Sequence, residues 1–211
     1  MRILVTGSSR GIGKAIVERF VRGGHVVHAP TREELNLSKE VVLADPTFDV
    51  VINNAGINPL KDIPDISDQE VMRVNYLSPL EIVQQCLPYM VDQKFGRIVN
   101  IGSVWIDLAK SKRSAYAASK CALHSLTKSI TAEYASKNIL ANTVSPGFIG
   151  TDLTYQNNSK DELEKIIQSV PVGRLGTPSE VADLVYFLSV PQNNFISGQN
   201  IFIDGGYTCT A

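Results

Sequence analysis

Tyr116 and Lys120 stand four apart in a segment patterned as a helix, so their side chains share one face. A phenol beside an ammonium suits proton exchange with an oxygen that alternates between carbonyl and alcohol. Carbonyl reduction needs a hydride at carbon and a proton at oxygen, and a free phenol with a pKa of about 10 is a poor partner at neutral pH. A nearby lysine favours the phenolate and lowers that pKa. Alone, a Tyr-x-x-x-Lys is a common accident in a chain with seven tyrosines. Ser103, thirteen residues upstream at the end of an apolar run, supplies independent support.

A second chemistry-bearing stretch is Thr6-Gly7-Ser8-Ser9-Arg10-Gly11-Ile12-Gly13, between the first apolar run and the first helical pattern. Its glycines let the backbone turn tightly against a pyrophosphate, and the free amides of a helix start favour that charge. The elements that must hold these groups alternate regularly. Ile3-Leu4-Val5 precedes a helix over 12–22 closed by Gly23-Gly24, then Val26-Val27. The strand Phe48 to Ile52 leads to a long helix opening at Ser67-Asp68-Gln69-Glu70, whose Ser and Glu form a capping box. Strand Arg97 to Ile101, a helix over 116–135, strand Ala141 to Val144, a helix capped by Thr177-Pro178-Ser179-Glu180 and strand Asn200 to Ile203 follow. Such alternation predicts an α/β fold of three layers, a parallel sheet with helices on both faces.

The chain has 211 residues, 44% apolar and 19% charged, which excludes a disordered or collagen-like protein and fits one domain over 1–211. A net charge of -1 supplies no drive toward nucleic acid or anionic membrane. Only three apolar residues precede the first turn and no 18-residue apolar run occurs, so neither a leader nor a membrane span is expected. Three scattered cysteines without a C-x-x-C argue against a disulfide framework or a metal site and fit the cytoplasm. His25, His28 and His124 lack ligand spacing, so the expected metal is none.

The spacing T-G-x-x-x-G-x-G resembles the short-chain dehydrogenase/reductase family. The resemblance continues in Asn53-Asn54-Ala55-Gly56 after the fourth strand, Asn75, Ser103 after the fifth, Tyr116-x-x-x-Lys120, and Pro146-Gly147 after the sixth. Pro171 to Gly176 and Asp204-Gly205-Gly206 are most similar to its 3-oxoacyl-carrier-protein reductase branch. The resemblance implies a doubly wound Rossmann-type fold and a reductase with Asn75, Ser103, Tyr116 and Lys120 as its catalytic set. By it, Tyr116 is the acid in reduction and the base in oxidation. Lys120 lowers its pKa and holds the nicotinamide ribose, and Ser103 binds the substrate oxygen. Pro79 has no N–H for the Asn75 carbonyl, so that carbonyl is expected free to hold a water. The implied cofactor contacts are Gly7, Ser9, Arg10, Gly11, Ile12 and Gly13 at the pyrophosphate. Asn53, with Ala55 and Gly56, serves the adenine ribose, while Asn54 stabilises the sheet. Pro146, Gly147, Ile149 and Thr151 receive the nicotinamide carboxamide.

Eighteen residues after Gly13, where the family's ribose-binding acid belongs, stands Thr31, followed by Arg32. With Arg10 in the turn, two guanidiniums flank a 2′-phosphate, which favours NADP over NAD. A shift of one or two residues to Glu33 or Glu34 would reverse that preference. From Pro30 to Phe48 there are only nineteen residues for a crossover helix, a third strand and another helix. The helix between strands two and three is therefore expected to be missing or a single turn. Leu35-Asn36-Leu37 becomes at most a stub of strand three, and Val41 to Asp45 a short helix. Asn36, with Leu37 beside it, then stands where the family places an adenine-binding Asp.

Residues 151–171 form the expected lid. Lys110, Lys112 and Arg113 suit an anionic substrate, the acidic helix of a carrier protein, or merely solvent. Trp105 either lines the substrate cleft or packs its loop. The substrate is a small carbonyl or alcohol compound, among which a 3-oxoacyl thioester is included. The resemblance also implies a homo-oligomer, a tetramer or dimer, with contacts near Tyr116, Val181 to Leu188 and Asp204. Two alternatives share the fold: a non-catalytic NAD(P)-binding regulator, and a sugar-nucleotide-modifying enzyme, for which sixty-four residues after Gly147 leave little room.

Overall fold

The computed structural model describes residues 1–156 and 158–210. Six strands, β1 (Arg2–Val5), β2 (Val26–His28), β3 (Val50–Asn53), β4 (Gly96–Ile101), β5 (Ile139–Pro146) and β6 (Asn200–Ile203), form one parallel sheet in the order β2-β1-β3-β4-β5-β6. The helices are α1 (Gly11–Arg22), α2 (Gln69–Met72), α3 (Ser78–Gln93), α4 (Ser114–Tyr134), α5 (Asp152–Gln156), α6 (Lys160–Ser169), α7 (Pro178–Ser189) and α8 (Tyr207–Thr210). β3, β4 and β5 are buried along their whole length, as strands covered on both faces must be. Alternation along β1 divides the core. Ile3 and Val5 join Ile16 and Phe20 of α1 and Val181, Val185 and Leu188 of α7. Leu4 faces the other way, toward Ile82 and Met90 of α3 and Ile130 of α4.

From β1 the chain passes through α1 to β2 on one side and returns to β3 on the other. The switch point between β1 and β3 is where open parallel sheets bind ligands at their carboxyl ends. At the opposite end of the sheet α1 stops cleanly: Gly24 takes a φ of +76°, its N–H reaches the Val21 carbonyl, and the His25 N–H reaches Phe20. α7 starts on the expected Thr177–Glu180 capping box. The box expected at Ser67 and Glu70 does not form. The Asp68 carbonyl already accepts the first helical bond, from Met72 at 2.8 Å, so Asp68 is the cap and Ser67 lies one residue too early.

Between α2 and α3 the expected single helix widens into a π turn over Arg73–Leu77, where the Ser78 N–H reaches back five residues to Arg73. Pro79, buried at the start of α3, has no N–H for residue 75. Between β2 and β3 there is no helix and no third strand, as the short segment requires. Val41 to Asp45, expected as a short helix, is instead irregular. Val41 is buried, Val42 is 76% exposed and Leu43 packs inward again, an alternation no helix offers. Side chains of α3 replace the missing backbone partners. Val41 N–H donates to Glu81 and Leu43 N–H to Gln85, both at 2.9 Å, while Gln85 donates to the Val41 carbonyl and Ser78 to that of Leu37.

Candidate active site

Thr6 ends β1 with its hydroxyl turned toward β3, where it accepts the Asn54 and Ala55 N–H groups at 3.1 Å. Asn54 Nδ2 donates to the carbonyls of Thr6 and Gly7 at 2.9 Å, so Asn54 ties the glycine-rich turn to β3. Two glycines are required by this closeness. A Cβ on Gly13 would lie 2.1 Å from the Gly7 carbonyl oxygen, and one on Gly7, whose φ is +66°, would lie 2.8 Å from Ala55 Cα. α1 then opens with no side-chain cap and no acid in its first turn. Uncapped amides facing exposed Gly7, Ser9 and Arg10 fit a pyrophosphate, with Ile12 packed on the core behind them. Across the cleft the Thr151 methyl sits 3.3 Å from where a Gly11 Cβ would be, bringing the loop after β5 onto the turn.

β4 ends at Ile101, and Ser103 follows as the cap of a 3-10 turn over Val104–Ile106, its oxygen accepting the Trp105 N–H at 3.3 Å. Ser103 faces the phenol of Tyr116, near the start of α4, closely enough to lower its pKa. One turn on, Lys120 is 2% exposed; its Nζ donates to the Ile101 carbonyl at 2.6 Å and lies 5.6 Å from the centre of the Tyr116 ring. Burial without a carboxylate pushes Lys120 down to about 8. Burial raises Tyr116, while Ser103 and the charge of Arg113 pull it back. The lowering expected from Lys120 is not among these effects. The lysine is itself desolvated and donates its hydrogen bond to the Ile101 carbonyl rather than to the phenolic oxygen.

Asn75 joins the trio through its side chain. Its Oδ1 accepts the Ile57 N–H and its Nδ2 donates to the Ile57 carbonyl and to Ser119, all at 2.9 Å. Ser119 donates in turn to the Tyr116 carbonyl at 2.7 Å. The loop after β3 is thereby clamped to the helix of Tyr116 and Lys120, with Gly56 against both Asn75 and Lys120. Sequence reasoning passed over Ser119, although its place three residues after Tyr116 put it on the same helical face. It also gave no role to Asn100, which the Asn53 amide meets.

Other expected contact residues have side chains in the core or in local turns. Asn53 is 1% exposed and its Nδ2 donates to Asn100 at 2.8 Å inside the sheet, while its Oδ1 is buried without a partner. The Ile149 side chain is buried in the core beneath α7, and its neighbours Phe148 and Gly150 are pinned to Gly176. Pro146 closes β5, and Gly147 packs against Asp204 so tightly that a Cβ would lie 2.7 Å from the Asp204 Cβ. Asn36 accepts the Ser38 N–H at 3.0 Å in a local turn, and Leu37 packs on the core. At the end of β2, Glu34 accepts the Thr31 N–H at 2.8 Å, which holds its pKa down. One oxygen of that carboxylate is thus engaged, while Arg10 and Arg32 are exposed and make no ion pair among the described residues. Trp105 is buried beside Phe148 and Tyr207. The described residues contain no cluster of metal-ligating side chains, and none of their helices is long and apolar enough to cross a membrane.

Residues 36–208 match the family described as Enoyl-(Acyl carrier protein) reductase. The 3-oxoacyl-(acyl-carrier-protein) reductase of Vibrio cholerae is 36% identical over 96% of this chain and 95% of its own length. A tropinone reductase homolog of Arabidopsis thaliana is 35% identical over 97% of this chain and 91% of its own. The first of these alignments runs over 233 positions, more than the chain's 211, so gaps fall in this chain. Among solved structures, 4-hydroxyisoleucine dehydrogenase complexed with NADH superposes with a TM-score of 0.89 at 29% identity, covering 100% of this chain and 99% of that one. A putative NAD(P)-dependent gluconate 5-dehydrogenase from Beutenbergia cavernae with bound NADP gives 0.87 at 28%, covering 99% and 96%.

Proposed function

The chain belongs to the short-chain dehydrogenase/reductase family, close to its 3-oxoacyl-carrier-protein reductase branch, and we propose on that premise that it interconverts a carbonyl compound and a secondary alcohol with NADP. The observation that carries this reading is the placement of Ser103, after β4, beside the Tyr116 phenol, with the buried Lys120 one helical turn on. In reduction Tyr116 passes its phenolic proton to the substrate oxygen while the Ser103 hydroxyl holds that oxygen. In oxidation the phenolate takes the proton back. A bound nicotinamide supplies or accepts the hydride at the neighbouring carbon. Lys120 holds the nicotinamide ribose, and the glycine-rich turn with the amides of α1 holds the pyrophosphate. Asn75 acts here as a positioning residue.

NADP over NAD rests on Arg10 and Arg32, with Glu34 bound back to Thr31 and so withdrawn from the ribose. α5 and α6 serve as the lid of a single domain. The working assembly is a homo-oligomer, a tetramer or dimer, in the cytoplasm. Tyr116→Phe tests the whole reading, because the ring stays and only the transferable proton is lost. Turnover should fall by about 10²-fold or more. Titration should still show NADPH bound more tightly than NADH. Retained activity in the variant would refute the role of Tyr116, and tighter NADH binding would refute the cofactor preference.

A further inference from the structure

The wall beside the reacting pair is aromatic and cationic together. Trp105, two residues after Ser103, is 8% exposed. Phe148 and Tyr207 meet it edge-on at 6.2 and 6.5 Å between ring centres and meet each other at 5.0 Å. Lys110 Nζ lies 5.5 Å from the Trp105 ring and 5.8 Å from that of Phe148, and Arg113 Cζ lies 5.5 Å from Trp105. Cations drawn onto rings are partly compensated. Even so, Arg113 Nε is buried with no hydrogen-bond partner, and neither cation has a carboxylate within ion-pair distance among the described residues. Burial and then the charge of Arg113 depress Lys110, opposed only at longer range by Glu162 of α6. Both cations line a cleft of about 540 Å³ with Ile63, Pro64 and Ala117, where Asp62 also lies but is paired with Lys112. Arg113 precedes Tyr116 by three residues, and its charge is felt at the phenol.

We propose that Lys110 and Arg113 form an anion subsite that takes a carboxylate of the substrate, so that the chain acts on small oxo or hydroxy acids. The subsite rests on the assignment of Ser103 and Tyr116 as the reacting end. Two unneutralised cations on a half-buried aromatic wall leave one requirement open, an anion, and the planar guanidinium offers it paired donors. An acidic carrier-protein surface would need cations facing outward. Of the two exposed lysines, Lys112 is 3.6 Å from Asp62 and Lys110 lies against the Trp105 ring, which leaves no outward basic pair for such a surface.

The test compares an oxo acid, its methyl ester and the corresponding coenzyme A thioester with NADPH. Wild type should use the acid roughly tenfold or more better than the ester in kcat/KM. Replacing both Lys110→Gln and Arg113→Gln should erase that preference by raising KM for the acid, whereas Arg113→Lys should keep most of it. Equal use of acid and ester by wild type, or parallel loss of both in the double variant, overturns the subsite and leaves the reductase reading standing. A dominant preference for the thioester that needs the same two cations assigns them to its phosphates and overturns the carboxylate. Trp105 is the only tryptophan, so its fluorescence reports binding without turnover. Butanoate should change it saturably and butanamide should not, and the double variant should lose the difference. That result with no carbonyl turned over would keep the subsite and remove the reductase reading; equal responses would remove the subsite.

Discussion

At the residue scale the site is a set of polar groups whose neighbours leave them little choice. Tyr116, Lys120 and Ser119 share one helix face, which spacing alone predicts. Their partners Ser103, Asn75 and the Ile101 carbonyl come from other elements and were visible only as separate markers. Lys120 has a consequence for stability. Its folded pKa of about 8 lies below the usual lysine value of 10.5, so between those values the unfolded chain binds the extra proton and stability rises with pH. Below about pH 8 the buried charge opposes folding by something on the order of 3 kcal/mol. Lys120→Met removes this term, so wild type should gain on the variant in thermal stability as pH rises from 8 to 10.5. A constant difference across that window would contradict the buried ammonium.

At the scale of elements, the segment between β2 and β3 shows how a missing strand is replaced. Nineteen residues were too few for a crossover, and that count predicted the loss of the helix. What takes its place could not be counted out. Glu81 and Gln85, one turn apart on α3, offer carboxylate and amide oxygens to the Val41 and Leu43 amides, and Arg73 holds Glu81 from the other side. The Arg73 guanidinium keeps Glu81 below its usual value of 4.5. Its stabilising contribution is thus present above that value and lost as pH falls through the folded pKa. Glu81→Ala leaves Arg73 and the Val41 N–H without this partner and should cost about 1–3 kcal/mol. Urea unfolding at pH 7 should show the loss, with the gap to wild type narrowing as pH falls below 4.5. Unchanged stability at pH 7 would mean that α3 does not hold this edge.

At the scale of the whole molecule, the trimmed sheet leaves β2, with Val26 exposed, as one edge and β6 as the other. Phe187 of α7 and Phe195, in the connection to β6, are exposed large apolar side chains in the region where the resemblance puts partner contacts. The proposed assembly should show in light scattering as twice or four times the chain mass, and a monomer at micromolar concentration would end it. The alternation of strands and helices, the glycine spacing and the Tyr-x-x-x-Lys pair were legible because each depends on local periodicity or on backbone freedom at one position. The π turn, the Asn75–Ser119 clamp, the inward turn of Asn53 and Ile149, and the occupation of Glu34 were not. Each depends on which distant group arrives within hydrogen-bond or packing distance, and that is decided only when the layers close. The same holds for Lys110 and Arg113. In the sequence they are a basic loop, and only the tertiary fold lays them on Trp105 beside the reacting pair.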